Sequence, residues 1–313
     1  MEGPSCRLFR EGRETIYTPP MKFPAIVALA IFLTAPAAAR AQARKAAAIK
    51  PASSIQMVLP SHGEMLLGIF YLAAGAGPHP TAVLLHGFPG YEQNLDIAQY
   101  LRARGWNVLA MHYRGSWGVK GDFSFEHAVQ DSDAQVRFVL DPANARKYSI
   151  DTRRVIVIGH SMGGYMAAAA TAHNKGVAGV VLISAWDPSA DYDGLQTHSA
   201  AQAIAEEAKA LAEDDNMLPL AGTTAESLAR EVYDHRAAFN MKNLAAAISP
   251  RPVFIITAHD GLASVDKAFA QALRKAGDTR IAERHWNTDH DYSGQRVALS
   301  HAIFEWAQAV PAR

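Results

Sequence analysis

Val155-Ile-Val-Ile-Gly-His-Ser-Met-Gly-Gly164 is the stretch whose reading decides the fold. Four β-branched residues in a row form a strand covered on both faces. The run breaks at Gly159 and resumes, from Met162 to about Ala172, as an alanine-rich helical segment. A strand that passes into a helix within three residues needs a tight turn. Its central residue, Ser161, is flanked two positions away on each side by glycine, so strand and helix can approach closely.

Outward from this junction, short apolar runs alternate with amphipathic helical patterns. Ile55–Leu59 and Met65–Leu72 read as strands joined at Ser61-His-Gly63, Ala82–Leu85 as a buried strand, and Gln93–Arg104 as a helix closed by Gly105. The spacing predicts a strand over Trp106–Met111, a helix over Phe125–Leu140, and strands over Val177–Ile183 and Pro252–Thr257. A helix over Val265–Ala276, a strand over Arg280–His285 and a helix over Gly294–Ala309 close the series. Such alternation implies a mostly parallel sheet with helices on both faces. About 65 residues between Ile183 and Pro252 interrupt it, with two helical patterns opened by Ser199-x-x-Gln202 and Thr223-x-x-Glu226. An insertion there, about 187–247, reads as a helical cap over the sheet.

Residues 1–43 read as an address rather than as part of the fold. A basic start at Met21-Lys22, an apolar run over Ala25–Leu33 and Ala-x-Ala spacing up to Ala41-Gln-Ala43 make a secretory signal. Translation from Met21 would account for Glu2, Glu11 and Glu14, which suit such a signal poorly. The apolar run is too short to remain as a membrane span. A linker follows over 44–54, then one domain over 55–313, and the expected location is secreted or periplasmic.

Of 313 residues, 30 are Lys or Arg and 30 Asp or Glu, with 49% hydrophobic. Cleavage after Ala43 removes five basic and three acidic residues, which leaves 25 against 27. Neither balance has the basic excess of a nucleic-acid binder. Cys6, the sole cysteine, leaves with the signal, so thiol catalysis, a disulfide framework and a cysteine metal site are not expected.

A serine hydroxyl attacks well only when a base takes its proton and a carboxylate orients that base. With Ser161 in a nucleophile elbow, the chain order should run Ser, Asp, His. Asp260, after the strand over Pro252–Thr257, supplies the acid, and Asp187, after the preceding strand, is its rival. His290, in Thr288-Asp-His-Asp-Tyr-Ser-Gly294, supplies the base, with His285 as competitor. His86-Gly-Phe-Pro-Gly90 ends an early strand, where the Phe88 amide could join that of Met162 as an oxyanion hole. Tyr91, Trp117 and Trp186 lie near these loops. His285, Asp289, His290 and Asp291 lack the fixed spacing of a metal site, and no cofactor is expected.

Together, His86-Gly-Phe-Pro-Gly90, Tyr113-Arg-Gly-Ser-Trp-Gly118, Gly159-His-Ser-Met-Gly163, Asp260 and His290 resemble the α/β-hydrolase superfamily. His112–Ser116 and Asp151-x-x-Arg154 are similar to the prolyl-oligopeptidase and dienelactone-hydrolase-like branch, here without a β-propeller and with serine where dienelactone hydrolases use cysteine. The resemblance implies an α/β-hydrolase fold and a serine hydrolase acting on a small ester. Two alternatives stand beside it. One is an exopeptidase or acyl-peptide hydrolase on a short peptide, its amine read by acids such as Asp187, Asp191, Asp193, Glu206 or Glu207. The other is a ligand-binding protein on a hydrolase scaffold.

Overall fold

The computed structural model describes residues 50–192 and 199–313. The readings over residues 1–43 and over most of the linker lie outside them.

Val155–Ile158 fall in the middle of β5 (Ile150–His160), fully screened from solvent. Burying a side chain of this kind contributes about 1.5–3 kcal/mol, which is why this run seeds a central strand. It pairs in parallel with β3 (His79–Leu85) on one side and β6 (Gly179–Ile183) on the other. Beyond β3 come β4 (Asn107–Met111), then β2 (Glu64–Leu72) and β1 (Ser53–Ser61); beyond β6 come β7 (Val253–Thr257) and β8 (Ile281–His285). The order of the eight-stranded sheet is β1-β2-β4-β3-β5-β6-β7-β8. Among the strand pairs of the described residues, only β1 with β2 and β2 with β4 run antiparallel.

Helices cover both faces. α1 (Leu95–Arg102) and α9 (Arg296–Ala309) share one face, with Ile97, Leu101, Leu299 and Ile303 in its core. α2 (Phe125–Leu140), α3 (Pro142–Tyr148), α4 (Met162–His173), α7 (Ala245–Ile248) and α8 (Ala263–Lys275) take the other. This is the α/β-hydrolase fold expected from the sequence.

Boundaries moved in instructive ways. β5 begins at Ile150, through the polar Asp151-Thr-Arg-Arg154, because its neighbour β3 begins at His79 and offers backbone partners there across an irregular register. α3 was not foreseen. Asp141 starts it by accepting from the Ala143 and Asn144 amides, with Pro142 at the first helical position, where a missing N–H costs nothing.

Between β6 and β7, α5 (Ala200–Leu211) and α6 (Ala225–His235) pack on each other. The Ser199/Gln202 capping box forms as read, but the second box sits one residue later. Thr224 accepts from the Ser227 amide and Ser227 Oγ accepts from the Thr224 amide. The cap is bonded to the body at several points. Trp117 N–H donates to Pro219 O (2.9 Å), Ala221 N–H to Gly115 O (2.8 Å) and Phe123 N–H to Ala221 O (2.9 Å). Glu231 of α6 accepts from the Phe125 and Glu126 amides, so the N-terminus of α2 is closed by the cap.

Candidate active site

Parallel strands end together, and their following loops meet at one edge. Here the C-terminal ends of β3, β5, β7 and β8 carry Phe88, Ser161, Asp260 and His290 in the loops just beyond.

Ser161 sits at φ 56°, ψ −123°, a conformation that costs on the order of 1–3 kcal/mol for a non-glycine residue. The surroundings hold it there. Its amide donates to Ile183 O (2.9 Å), and its carbonyl accepts from Gly164 (2.8 Å) and Trp186 (3.0 Å). The flanking glycines are required by contact. A Cβ on Gly159 would lie 1.8 Å from Gly163 O, and one on Gly163 would lie 2.2 Å from Leu85 O. A Cβ on Gly87 would come within 3.0 Å of the Ser161 Cβ, so the β3 loop runs directly against the serine.

His290 Nδ1 lies 2.9 Å from Asp260 Oδ2. The Asp260 side chain is 3% exposed and that of His290 39%, so the acid is enclosed while the imidazole reaches toward solvent. Burial would raise the Asp260 pKa, but hydrogen bonds from His290, Ser184 and the Leu262 amide (3.1 Å) outweigh it and hold the carboxyl well below the usual range. A carboxylate held ionised near neutrality is thereby aimed at the ring. The loop bearing His290 is stitched to the end of β7: Trp286 N–H donates to Thr257 O and His259 N–H to Thr288 O, both at 3.0 Å. The ring of His160, the residue before the serine, lies against His290 with centroids 4.6 Å apart.

A cavity of about 260 Å³ opens over Ser161, walled by Phe88, Phe125, Trp186, Met162 and Leu211. Glu207 and Asn216 add polar groups from the cap side. Among the described residues, neither the Phe88 nor the Met162 amide donates to a main-chain carbonyl. The β3 loop is held by Tyr113 Oη donating to His86 O (3.1 Å) and by Trp117 Nε1 donating to Pro89 O (2.8 Å). His86 is buried, and burial lowers its pKa to about 4, so it packs as a neutral ring.

The rival candidates are placed elsewhere. Asp187 accepts from Ser189 N–H (3.0 Å) and Oγ (2.9 Å) and from Met241 N–H (3.2 Å), which joins the two ends of the cap. His285 closes β8 and meets Thr257 Oγ1 at 2.9 Å. Tyr91 is 55% exposed, its hydroxyl 3.3 Å from Asp215 O and its ring against Trp117. Of the described cap acids named above, Glu207 reaches the cavity wall. Asp193 lies outside the described residues. Ser184 and Tyr292, hydroxyls 2.8 Å apart beside Asp260, carried no signal in the sequence. Among the described residues no three His, Cys, Asp or Glu side chains gather as metal ligands would, and no helix is long and apolar enough to cross a membrane.

Residues 82–306 match the model of the alpha/beta hydrolase family. The chain belongs to that family, and membership supports a hydrolytic activity. Over 136 residues, 41% of the chain, it is 28% identical to epoxide hydrolase 3 of Xenopus tropicalis, and the match spans about a third (34%) of that protein. Among solved structures, an esterase of Pyrococcus furiosus superposes with a TM-score of 0.60 at 16% identity, covering 82% of this chain and 91% of that one. An acylaminoacyl peptidase of Pyrococcus horikoshii gives 0.60 at 16% identity, over 84% of this chain but 42% of the larger one. At such identities the likeness is one of fold.

Proposed function

We propose that the protein hydrolyses carboxylic esters with Ser161 as nucleophile, His290 as general base and Asp260 as the orienting acid. The observation that carries this reading is the enclosed Asp260 carboxylate bonded to His290 at 2.9 Å, at a strand end shared with a strained elbow serine. Asp260 fixes the Nδ1–H tautomer, which leaves His290 Nε2 free to accept the Ser161 proton as Oγ bonds to the ester carbonyl carbon. The Phe88 and Met162 amides, both from residues lining the cavity, receive the oxyanion of the tetrahedral intermediate. Collapse expels the alcohol, protonated by His290, and leaves an acyl-Ser161. Water, deprotonated by the same imidazole, then releases the carboxylic acid and the serine.

Ser161→Ala should lower kcat on p-nitrophenyl acetate by on the order of 10⁶-fold. A variant that keeps a tenth of the wild-type turnover would remove the serine from the reaction. A fluorophosphonate probe should label the wild-type serine; folded protein that resists it would favour a ligand-binding role instead. Glu207 on the cavity wall favours one second reading, an exopeptidase whose substrate amine meets that carboxylate. Aminoacyl-nitroanilides turned over faster than p-nitrophenyl esters would establish it. We also propose export by cleavage after Ala43. Amino-terminal sequencing of the protein from a periplasmic or culture fraction should begin at Arg44.

A further inference from the structure

Two histidines stack at the site, and the reaction above uses one of them. The other, His160, is 3% exposed and has both ring nitrogens engaged. Its Nε2 lies 2.9 Å from the carbonyl oxygen of His290, and its Nδ1 lies 3.4 Å from Asn94 Nδ2. Asn94, fully buried at the start of α1, turns its Oδ1 to Arg296, whose two terminal nitrogens each donate to it at 3.0 Å. The amide is thus oriented: its oxygen is taken by a guanidinium, so its Nδ2–H faces His160. His160 Nδ1 must then accept, its proton sits on Nε2, and Nε2–H donates to the His290 carbonyl. Arg296 is itself held by the Asp96 carboxylate, with Nε to Oδ2 at 2.9 Å. It also donates to the carbonyl of Asp291 at 2.9 Å.

We propose that His160, Asn94 and Arg296 form a brace that positions His290, fixing the main chain of its loop against the elbow that carries Ser161. The proposal rests on the reading of His290 as the base. Two consecutive carbonyls of the loop, those of His290 and Asp291, are gripped by donors from two different elements. The first donor is the chain neighbour of the nucleophile, so one short segment fixes the serine and registers the base. Packing alone does not require this arrangement. A buried amide and a buried imidazole are costly unless hydrogen-bonded, whereas an aliphatic pair would fill the same space without polar partners. The role needs a neutral His160. Burial first, then the nearby His290 and Arg296, push its pKa down to about 3, with Asp260 and the His290 carbonyl opposing.

A displacement of the base by about an ångström costs on the order of 10²-fold in rate. In purified protein, His160→Phe keeps the ring stack and removes the donor. It should lower kcat on p-nitrophenyl acetate by about 10²-fold with KM changed less than about threefold. His160→Gln restores an N–H at the position of Nε2 and should recover about tenfold of that loss. A positioning residue acts through the base, so His160→Phe should cost nothing further in a His290→Ala background. Wild-type kcat in His160→Phe, whatever its melting temperature, would overturn the brace, as would a full additional loss in the His290→Ala background. Should His160→Phe fail to fold, Arg296→Gln, at the solvent side of the brace, carries the same test with an expected loss of roughly tenfold in kcat and the same non-additivity. Wild-type turnover in His290→Ala would instead defeat the base assignment itself, a result distinct from a failed brace.

Discussion

Asp187 and Asp260 occupy equivalent places, each in the loop that follows a parallel strand, each with its carboxylate enclosed. What they face differs. Beyond β7 the neighbouring loop is the one after β8, bonded to residues 257–259, and it brings His290 to Asp260. Beyond β6 the chain turns into the cap, and Asp187 spends its oxygens on Ser189 and Met241. Their protonation is driven in opposite directions. Donors outweigh burial at Asp260 and hold it ionised, whereas burial dominates at Asp187 and raises its pKa in spite of three donors. The same residue type at two adjacent strand ends thus bonds the ring of His290 in one place and fastens the cap in the other. The difference comes from which loop closes over it.

The sharpest way to break this distinction is a pair of amide substitutions. Asp260→Asn should reduce kcat by about 10⁴-fold, because Asn keeps the shape but offers no charge for an imidazolium and lets the wrong tautomer form. Asp187→Asn should leave kcat within about tenfold of wild type, its fault being a misplaced cap rather than a misoriented base. Initial rates on p-nitrophenyl acetate decide it, and a reversed pattern would move the acid to the end of β6. Asp187→Ala should then show what the fastening contributes. It strands the Met241 and Ser189 amides, at about 1–3 kcal/mol for a buried unsatisfied group, readable as a lower midpoint in urea.

The sheet was legible because its signals are local. A β-branched run such as Val155–Ile158, or apolar positions three and four apart such as Ile97, Ala98 and Leu101, depend on a residue's own burial. Even the elbow could be read, since close strand–helix contact demands glycine within two residues of Ser161. The choice between Asp187 and Asp260 was not local. Both follow apolar strands, and the hydrogen bond that sets them apart, from His290 to Asp260, joins residues 30 apart. The brace lay further out of reach. Its bonds join Asn94 to His160 and His160 to His290 across 66 and 130 residues, and no periodicity records a contact that passes through the sheet's edge. The shift of the second cap box from Thr223 to Thr224 has a plainer cause. Ser227 can close the box as well as Glu226, and the extended backbone of Thr224 selected it.

The smallest expected effect joins the two strand ends. Ser184, just past β6, donates to Asp260 and lies 2.8 Å from the Tyr292 hydroxyl. Ser184→Ala removes one donor from the carboxylate, leaving His290 and the Leu262 amide in place. A hydrogen bond to a charged group contributes about 1.5 kcal/mol, so kcat should fall by no more than about tenfold. The pH dependence tells this loss from simple packing. Asp260 has a folded pKa below its ordinary value of 3.8, so the stability it contributes is present above that pH and is lost as pH falls through the folded value. The unfolded chains share the same Asp260 carboxyl. The stability gap between wild type and Ser184→Ala should therefore hold constant from neutrality down to about pH 4 and shrink only well below that, as pH falls through the lowered folded pKa values. Asp187 has a raised pKa, so the opposite sign applies. Its contribution is complete below 3.8 and declines as pH rises, and wild type should lose ground against Asp187→Asn from about pH 4 upward. Urea unfolding of the three proteins between about pH 3 and 7 would display the Asp187 trend, with the gap to Ser184→Ala flat over the same range, and an Asp187→Asn curve parallel to wild type would show that this carboxylate has not been tuned by its loop.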